Sequence, residues 1–300
     1  MQAPLAFMCP EKQGSAGKSG SCVEAHPAPA LGGWVAQGGP NAILCVSMRN
    51  IRLVIAYDGA DFHGWQRQPH APTIQEALET RIAKITGGPV TLYGSGRTDA
   101  GVHAAGQVAN FKTLCPIPCA SLVIALNDVL PAAIRVRKAE EVSAMFHARY
   151  NAAAKTYRYR ILQAQICQPF LARYVYHHPY PLNYRRMTAA ARLLEGEHDF
   201  TSFAGSDPAA KNKKKQKDSN VRQIFQSRVA VRKELSLVVY EVRGSGFLHH
   251  MVRNIVGTLL EVGNGKLRPE DLPGILEARD RSQAGATAPA CGLCLVRVEY

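Results

Sequence analysis

Tyr93-Gly-Ser-Gly-Arg-Thr-Asp-Ala-Gly-Val-His-Ala-Ala-Gly106 places four glycines around a single carboxylate, Asp99. Glycine lacks the Cβ that bars tight turns and close approach, so this spacing predicts a loop in which a bulky ligand can reach that carboxylate. The segment lacks the Lys-Ser/Thr ending of a phosphate-binding P-loop. Aspartate also favours turns for purely local reasons, so the loop takes its meaning from what surrounds it. Val90 to Tyr93 on one side and Gln107 to Lys112 on the other both read as strands.

Upstream, Asn50 to Tyr57 (NIRLVIAY) reads as a strand, and Thr73-Ile-Gln-Glu76 has the form of a capping box opening a helix with Leu78, Ile82 and Ile85 on one face. Ser121 to Val129 reads as a helix and Ile134 to Ala139 as a strand, which completes a first α/β half over residues 49–150. Lys155 to Leu162 (KTYRYRIL) then alternates, Tyr157, Tyr159 and Ile161 facing one way and Thr156, Arg158 and Arg160 the other, as a half-buried strand does. It begins a second half over residues 151–300, with helices at Tyr184 to Leu194, His250 to Val262 and Pro269 to Arg279. A hairpin is expected from Val221 to Arg232 and Leu235 to Val242, and a closing strand from Leu293 to Tyr300. The fold class is therefore α+β, two α/β halves with mainly antiparallel sheets. Residues 1–48 are rich in Gly, Ala, Pro and Ser without periodicity and read as a disordered N-terminal extension. Glu11 and Glu24 set it apart from an acid-poor transit peptide.

The chain has 300 residues, 46% of them hydrophobic, and no apolar run approaches the roughly 18 residues that suggest a membrane span. Met1 is not followed by a secretory layout, so a cytoplasmic protein without membrane association is expected. A formal charge of +13 attracts polyanions and makes nucleic acid the leading partner class. Lys211 to Lys217 holds five lysines in seven residues without apolar anchors, an exposed loop suited to phosphate contact. Of eight cysteines only Cys291 and Cys294 have metal-like spacing; with no second close pair, no zinc site is expected and the thiols read as reduced and structural. His103, His249 and His250 lack the spacing of a zinc helix and are expected to position backbone or touch RNA.

Gly96-Arg-Thr-Asp-Ala-Gly-Val-His-Ala104, together with Lys155-Thr-Tyr-Arg-Tyr159 and Gly246-Phe-Leu-His-His-Met-Val-Arg-Asn-Ile-Val-Gly257, resembles the TruA family of tRNA pseudouridine synthases. Asp61-Phe-His-Gly-Trp-Gln-Arg67, Phe146-His-Ala-Arg149 and Asp199-Phe-Thr-Ser-Phe203 extend the likeness over roughly residues 50 to 300. The resemblance implies the pseudouridine synthase fold with a central basic cleft, and isomerisation of uridine in the tRNA anticodon stem-loop, expected at positions 38 to 40. It also implies no cofactor and no metal, and a homodimer. By the same likeness Asp99 is the catalytic carboxylate, Arg253 its ion-pair partner, Arg97 a contact to the nucleic-acid backbone, Tyr157 the base-stacking ring and Leu293 an apolar contact near Asp99. Phe146, His147, Ala148, Arg149 and Tyr150, with Lys213, Lys214 and Lys215, are expected to bind RNA.

The chemistry agrees with these residue types. The reaction breaks the bond between ribose C1′ and uracil N1, turns the base and rejoins it through C5, and a carboxylate can trap the sugar as nucleophile or act as base. A stacked base must first be drawn out of the RNA and held, for which an aromatic face is suited. Two other readings share parts of the pattern: an RNA-binding protein without turnover, and a glycosidic hydrolase. The hydrolase normally needs two carboxylates, and Asp58 and Asp61 belong to a separate loop from Asp99.

Overall fold

Ile51, Leu53, Ile55 and Tyr57 alternate with half-exposed Arg52, Val54 and Ala56, so the first strand, β1 (Arg49–Tyr57), has one apolar face to bury. The computed structural model describes residues 47–205 and 220–300, so the lysine run with Lys213, Lys214 and Lys215, and nearly all of the N-terminal extension, lie outside the described residues. In chain order α1 (Ile74–Thr86), β2 (Tyr93–Gly94), β3 (His103–Thr113), α2 (Cys119–Val129), β4 (Ile134–Val142), β5 (Ala154–Leu162), α3 (Pro169–Ala172) and β6 (Tyr176–His177) follow β1. Then come α4 (Tyr184–Arg192), β7 (Gly196–Asp199), β8 (Val221–Arg232), β9 (Leu237–Gly244), α5 (Met251–Gly263), α6 (Leu272–Ala278) and β10 (Leu293–Glu299).

The strands form one mostly antiparallel sheet in the order β4-β1-β3-β10-β5-β9-β8-β7, with β2 on β3 and β6 on β5. The mixed architecture is that expected of a pseudouridine synthase fold. The C-terminal strand β10 sits between β3 and β5, parallel to the first through Cys294 and Leu295 and antiparallel to the second, where Leu293 faces Tyr159 and Leu295 faces Tyr157. One face of the sheet carries Leu53, Ile55, Tyr159, Tyr240 and Val242, which join Leu78 and Ile82 of α1, Leu122 and Leu126 of α2, and Ile255 and Leu259 of α5 in one buried cluster. At about 25 cal/mol per Å², burial of this kind is the main force holding helices to sheet.

Local chemistry accounts for where the elements depart from expectation. Thr73 caps α1 by accepting from the Glu76 N–H at 3.4 Å, but the reciprocal half of the capping box does not form, because the Glu76 carboxylate turns to Arg67 at 3.6 Å. The strand expected at Val90 to Tyr93 shrinks to Tyr93–Gly94. Side chains of α1 take the backbone of Leu92 instead: its N–H donates to Glu79 and its carbonyl accepts from Gln75. Conversely β3 starts four residues early, at His103, because β10 pairs with His103 and Ala104 and β1 reaches Ala104 through Tyr57. The helix expected from Pro269 is a 3₁₀ turn, Pro269–Asp271, followed by α6, and the short strand β7 had no alternation to reveal it.

α5 is the element that carries the site, and it is seated against residues 284–288 at unusually close range. A Cβ at Gly257 would lie 1.7 Å from the Ala286 carbonyl oxygen. Buried Asn254 holds the same junction, donating to the Phe203 carbonyl and accepting from Arg281 and Thr287. Gly257→Ala is therefore expected to lower stability by about 3 kcal/mol through overpacking against backbone. Gly274→Ala on α6, where an added Cβ meets nothing within 4 Å, should raise stability by about 0.5–1 kcal/mol. Urea unfolding of the two variants checks this, and equal midpoints would refute the packing account.

Candidate active site

The loop from Ser95 to Val102 is held at its base by polar groups of the sheet. Tyr57 and Thr98 share a buried hydrogen bond of 2.8 Å between their hydroxyls, Ser95 donates to Gln107, and the Gln107 amide donates to the Gly96 carbonyl. A second loop, residues 58–65, braces it from the side: the Trp65 N–H donates to the Thr98 carbonyl and the Gly101 N–H to that of Phe62. Gly64 adopts φ 88°, and a Cβ there would come within 2.6 Å of the Thr98 oxygen, so both conformation and space require glycine. Asp99 is thus presented on a loop tied down on either side of it.

Its carboxylate meets the N-terminal end of α5. Arg253 donates from a terminal guanidinium nitrogen to Asp99 Oδ2 at 3.0 Å and from Nε to the Ala288 carbonyl at 2.8 Å, while the Ala288 N–H returns a bond to the Arg253 carbonyl. Fixed at two points and only partly exposed, the guanidinium makes a charge-assisted bond to one carboxylate oxygen and leaves the other open. The ion pair expected from the family likeness forms. His249 and His250 flank the same carboxylate, with Nε2 atoms 3.8 Å from Oδ1 and 3.4 Å from Oδ2, and their rings stack at 3.8 Å. His250 is the residue before α5, at φ 57°. Nothing in the spacing of the two histidines announced this convergence, because it depends on how α5 is seated. Asp99, His249 and His250 offer ligand atoms within 4.8 Å of one another. A divalent cation there would sit beside the Arg253 cation, and like-charge repulsion disfavours it.

Tyr157 lies on β5 with its ring edge-on to Phe247 at 5.1 Å, and it is buried to 8% exposure. Burial raises its phenol well above the usual range, and the Asp99 charge adds to this, so the ring acts as a neutral surface beside the carboxylate. Leu293 is buried at the start of β10, opposite Tyr159. Arg97 is exposed, with Nε donating to Gln66 at 3.2 Å. Phe146 packs on Tyr300 and His147 between Tyr93 and Tyr150, while Arg149 and Tyr150 are exposed. Ala148 is fully buried and serves as the anchor of this turn, its N–H donating to Asn110 and its carbonyl accepting from Tyr300.

Asp58 and Asp61 are engaged elsewhere. Both bond to Arg173, the first at 3.1 Å, and Tyr174 donates to Asp58. His103 completes this clamp: its Nδ1 accepts from the Gly59 N–H at 3.1 Å, so Nε2 carries the proton and donates to the Arg173 carbonyl at 2.8 Å. The loop bracing the Asp99 segment is thereby pinned to residues 173–174, and among the described residues Asp99 is left as the carboxylate facing Arg253 and the histidines.

A family model described as tRNA pseudouridine synthase matches residues 53–151 and 190–300. The chain is similar to tRNA pseudouridine synthase A of Solibacter usitatus, 53% identical over 254 residues, which cover 84% of this chain and 100% of that protein. It is also similar to tRNA pseudouridine synthase A of Acetivibrio thermocellus, 46% identical over 253 residues, with the same coverage of 84% and 100%. A class II 3-hydroxy-3-methylglutaryl-CoA reductase from Streptococcus pneumoniae overlaps with a TM-score of 0.19 at 11% identity, over 79% of this chain and 70% of its own, too little to bear on the fold.

Two histidines of the site tie stability to acidity. Burial holds His103 and His250 below the ordinary imidazole range, outweighing the opposite pull of Asp58 on the first and Asp99 on the second. The unfolded chain takes up protons at these rings below about pH 6.5, whereas the folded chain does so only at lower pH. Their contribution is therefore full above about pH 6.5 and is lost as pH falls toward the folded values. His103→Asn should shrink the drop in urea midpoint between neutral and mildly acid buffer. An undiminished drop would rule His103 out as its source.

Proposed function

The chain belongs to the tRNA pseudouridine synthase family, and on that premise we propose that it isomerises uridine to pseudouridine in the anticodon stem-loop of tRNA, at positions 38 to 40, with Asp99 as the catalytic carboxylate. The observation that carries this reading is the Asp99–Arg253 pair at 3.0 Å, set on an accessible Gly-rich loop beside the Tyr157 ring.

Arg253 holds Oδ2, so Oδ1 is the oxygen that meets the ribose. In one course Oδ1 bonds to C1′ as the C1′–N1 bond breaks and its electron pair leaves with the uracil. The base turns, C5 forms its bond to C1′ and displaces the carboxylate, the C5 proton departs and N1 gains one. In the other, Asp99 removes the 2′ proton as the C1′–N1 bond breaks, which leaves a C1′=C2′ double bond and sends that bond's electron pair off with the uracil; C5 then bonds to C1′ as Asp99 returns the proton to C2′, the C5 proton departs and N1 gains one. Both require a fixed, partly desolvated carboxylate and a ring against which the free base can turn without escaping. Tyr157 supplies that ring and Leu293 an apolar wall.

The net charge of +13 and the exposed Arg97 and Arg149 support a basic cleft around Asp99 in which the RNA backbone lies. Phe146, His147 and Tyr150 extend it, and Ala148 contributes by holding that turn in place; Lys213, Lys214 and Lys215, outside the described residues, are read from their charge alone as further contacts to RNA phosphates. The enzyme works as a homodimer, one tRNA touching both subunits, and in the cytoplasm; among the described residues no helix is long and apolar enough to cross a membrane.

Asp99→Asn should abolish tritium release from C5-labelled uridine in tRNA, while tRNA still binds. Turnover surviving in Asp99→Asn, or free uracil among the products of the unaltered protein, would overturn the assignment.

A further inference from the structure

The stretch Phe247-Leu248-His249-His250, just ahead of α5, borders both the aromatic and the acidic side of the site. Phe247 stands edge-on to the Tyr157 ring at 5.1 Å, and two residues later His249 brings Nε2 to 3.8 Å from Asp99 Oδ1. The backbone here is fixed, the His249 carbonyl accepting from the Gly205 N–H at 2.8 Å and the His250 carbonyl from that of Asn254 at 2.9 Å. The His250 ring stacks on that of His249, and its own Nε2 lies 3.4 Å from Oδ2, the oxygen that Arg253 holds. Of the two histidines, His249 is therefore the one beside the open oxygen.

The two nitrogens of His249 are in unlike places. Nδ1 is buried and, among the described residues, has no hydrogen-bond partner. A proton on Nδ1 would be a buried donor without an acceptor and would leave a bare Nε2 lone pair toward the carboxylate. A proton on Nε2 faces the anion instead, so the neutral ring takes that tautomer. At 3.8 Å this N–H is beyond hydrogen-bond length from Oδ1. The side chain is 34% exposed, so its donor is held at the site, unspent and open to a ligand.

In either course of the reaction Asp99 loses its negative charge, to a bond with C1′ or to the 2′ proton. At the same moment the C1′–N1 electron pair leaves with the uracil and spreads over N1 and the two carbonyl oxygens. Charge thus moves from carboxylate to base within one site, and a fixed donor beside both binds more strongly as the anion forms. We propose that His249 Nε2–H donates to a carbonyl oxygen of the departing uracil and stabilises the free base while it turns on Tyr157. The assignment rests on reading Asp99 as the reacting carboxylate.

The test follows the loss of the target nucleoside in single turnovers with enzyme in excess, on anticodon stem-loop RNA carrying uridine or 5-fluorouridine at the target position. Fluorine withdraws charge from the ring, so 5-fluorouracil leaves as the weaker base and depends less on a donor. His249→Leu fills the ring's place without an N–H and should convert uridine about a hundredfold more slowly. On 5-fluorouridine its loss should be severalfold smaller. His249→Gln, whose amide nitrogen reaches the place of Nε2, should lose less on uridine than His249→Leu. The two substrates are compared within each variant, so a misfolded fraction cancels from the ratio. Equal losses of His249→Leu on the two substrates would overturn the proposal, as would its undiminished conversion of uridine. Pseudouridine formed by Asp99→Asn would instead remove the premise, whereas equal losses with Asp99→Asn inactive count against His249 alone.

Discussion

The ion pair between Asp99 and Arg253 joins residues 154 positions apart and is the contact toward which much of the structure is arranged. A carboxylate and a guanidinium attract strongly only when both are held, since two free side chains lose rotamer entropy to meet. Here neither is free. Asp99 stands on a loop fixed by Tyr57, Gln107 and the backbone of residues 62–65, and Arg253 is fixed by a reciprocal pair of bonds to Ala288. The geometry is prepared before any substrate arrives, which is where electrostatic catalysis gains its advantage over water.

That preparation reaches back through the sheet. β10, the last strand, lies between β3, which leaves the Asp99 loop, and β5, which carries Lys155 and Tyr157. Inserting the C-terminal strand there sets the distance between the carboxylate and the aromatic surface. The Arg173 clamp, with Asp58, Asp61 and His103, works in the same sense on the outer loop. The clamp also consumes the neighbouring carboxylates, which separates this site from the paired acids of a glycosidase.

The sequence by itself determined whatever depends on short-range periodicity and on residue types in a fixed local order. Alternation in β1 and β5, the Thr73 cap and the Gly-rich loop around Asp99 were legible, because each is set by neighbours within a few residues. The family likeness extended this to the partnership of Asp99 with Arg253, which no spacing could have given. Tertiary structure decided the rest. Val90 to Leu92 lost its strand to side chains of α1, and the stretch from His103 became strand because β10, and β1 through Tyr57, lie alongside. His249 and His250 meet Asp99, and Lys155 meets Ser95, by the way α5 and β5 are seated against the loop. Such contacts arise between segments distant in the chain, where packing and not local propensity sets the distance, and so they appear only once the fold has closed.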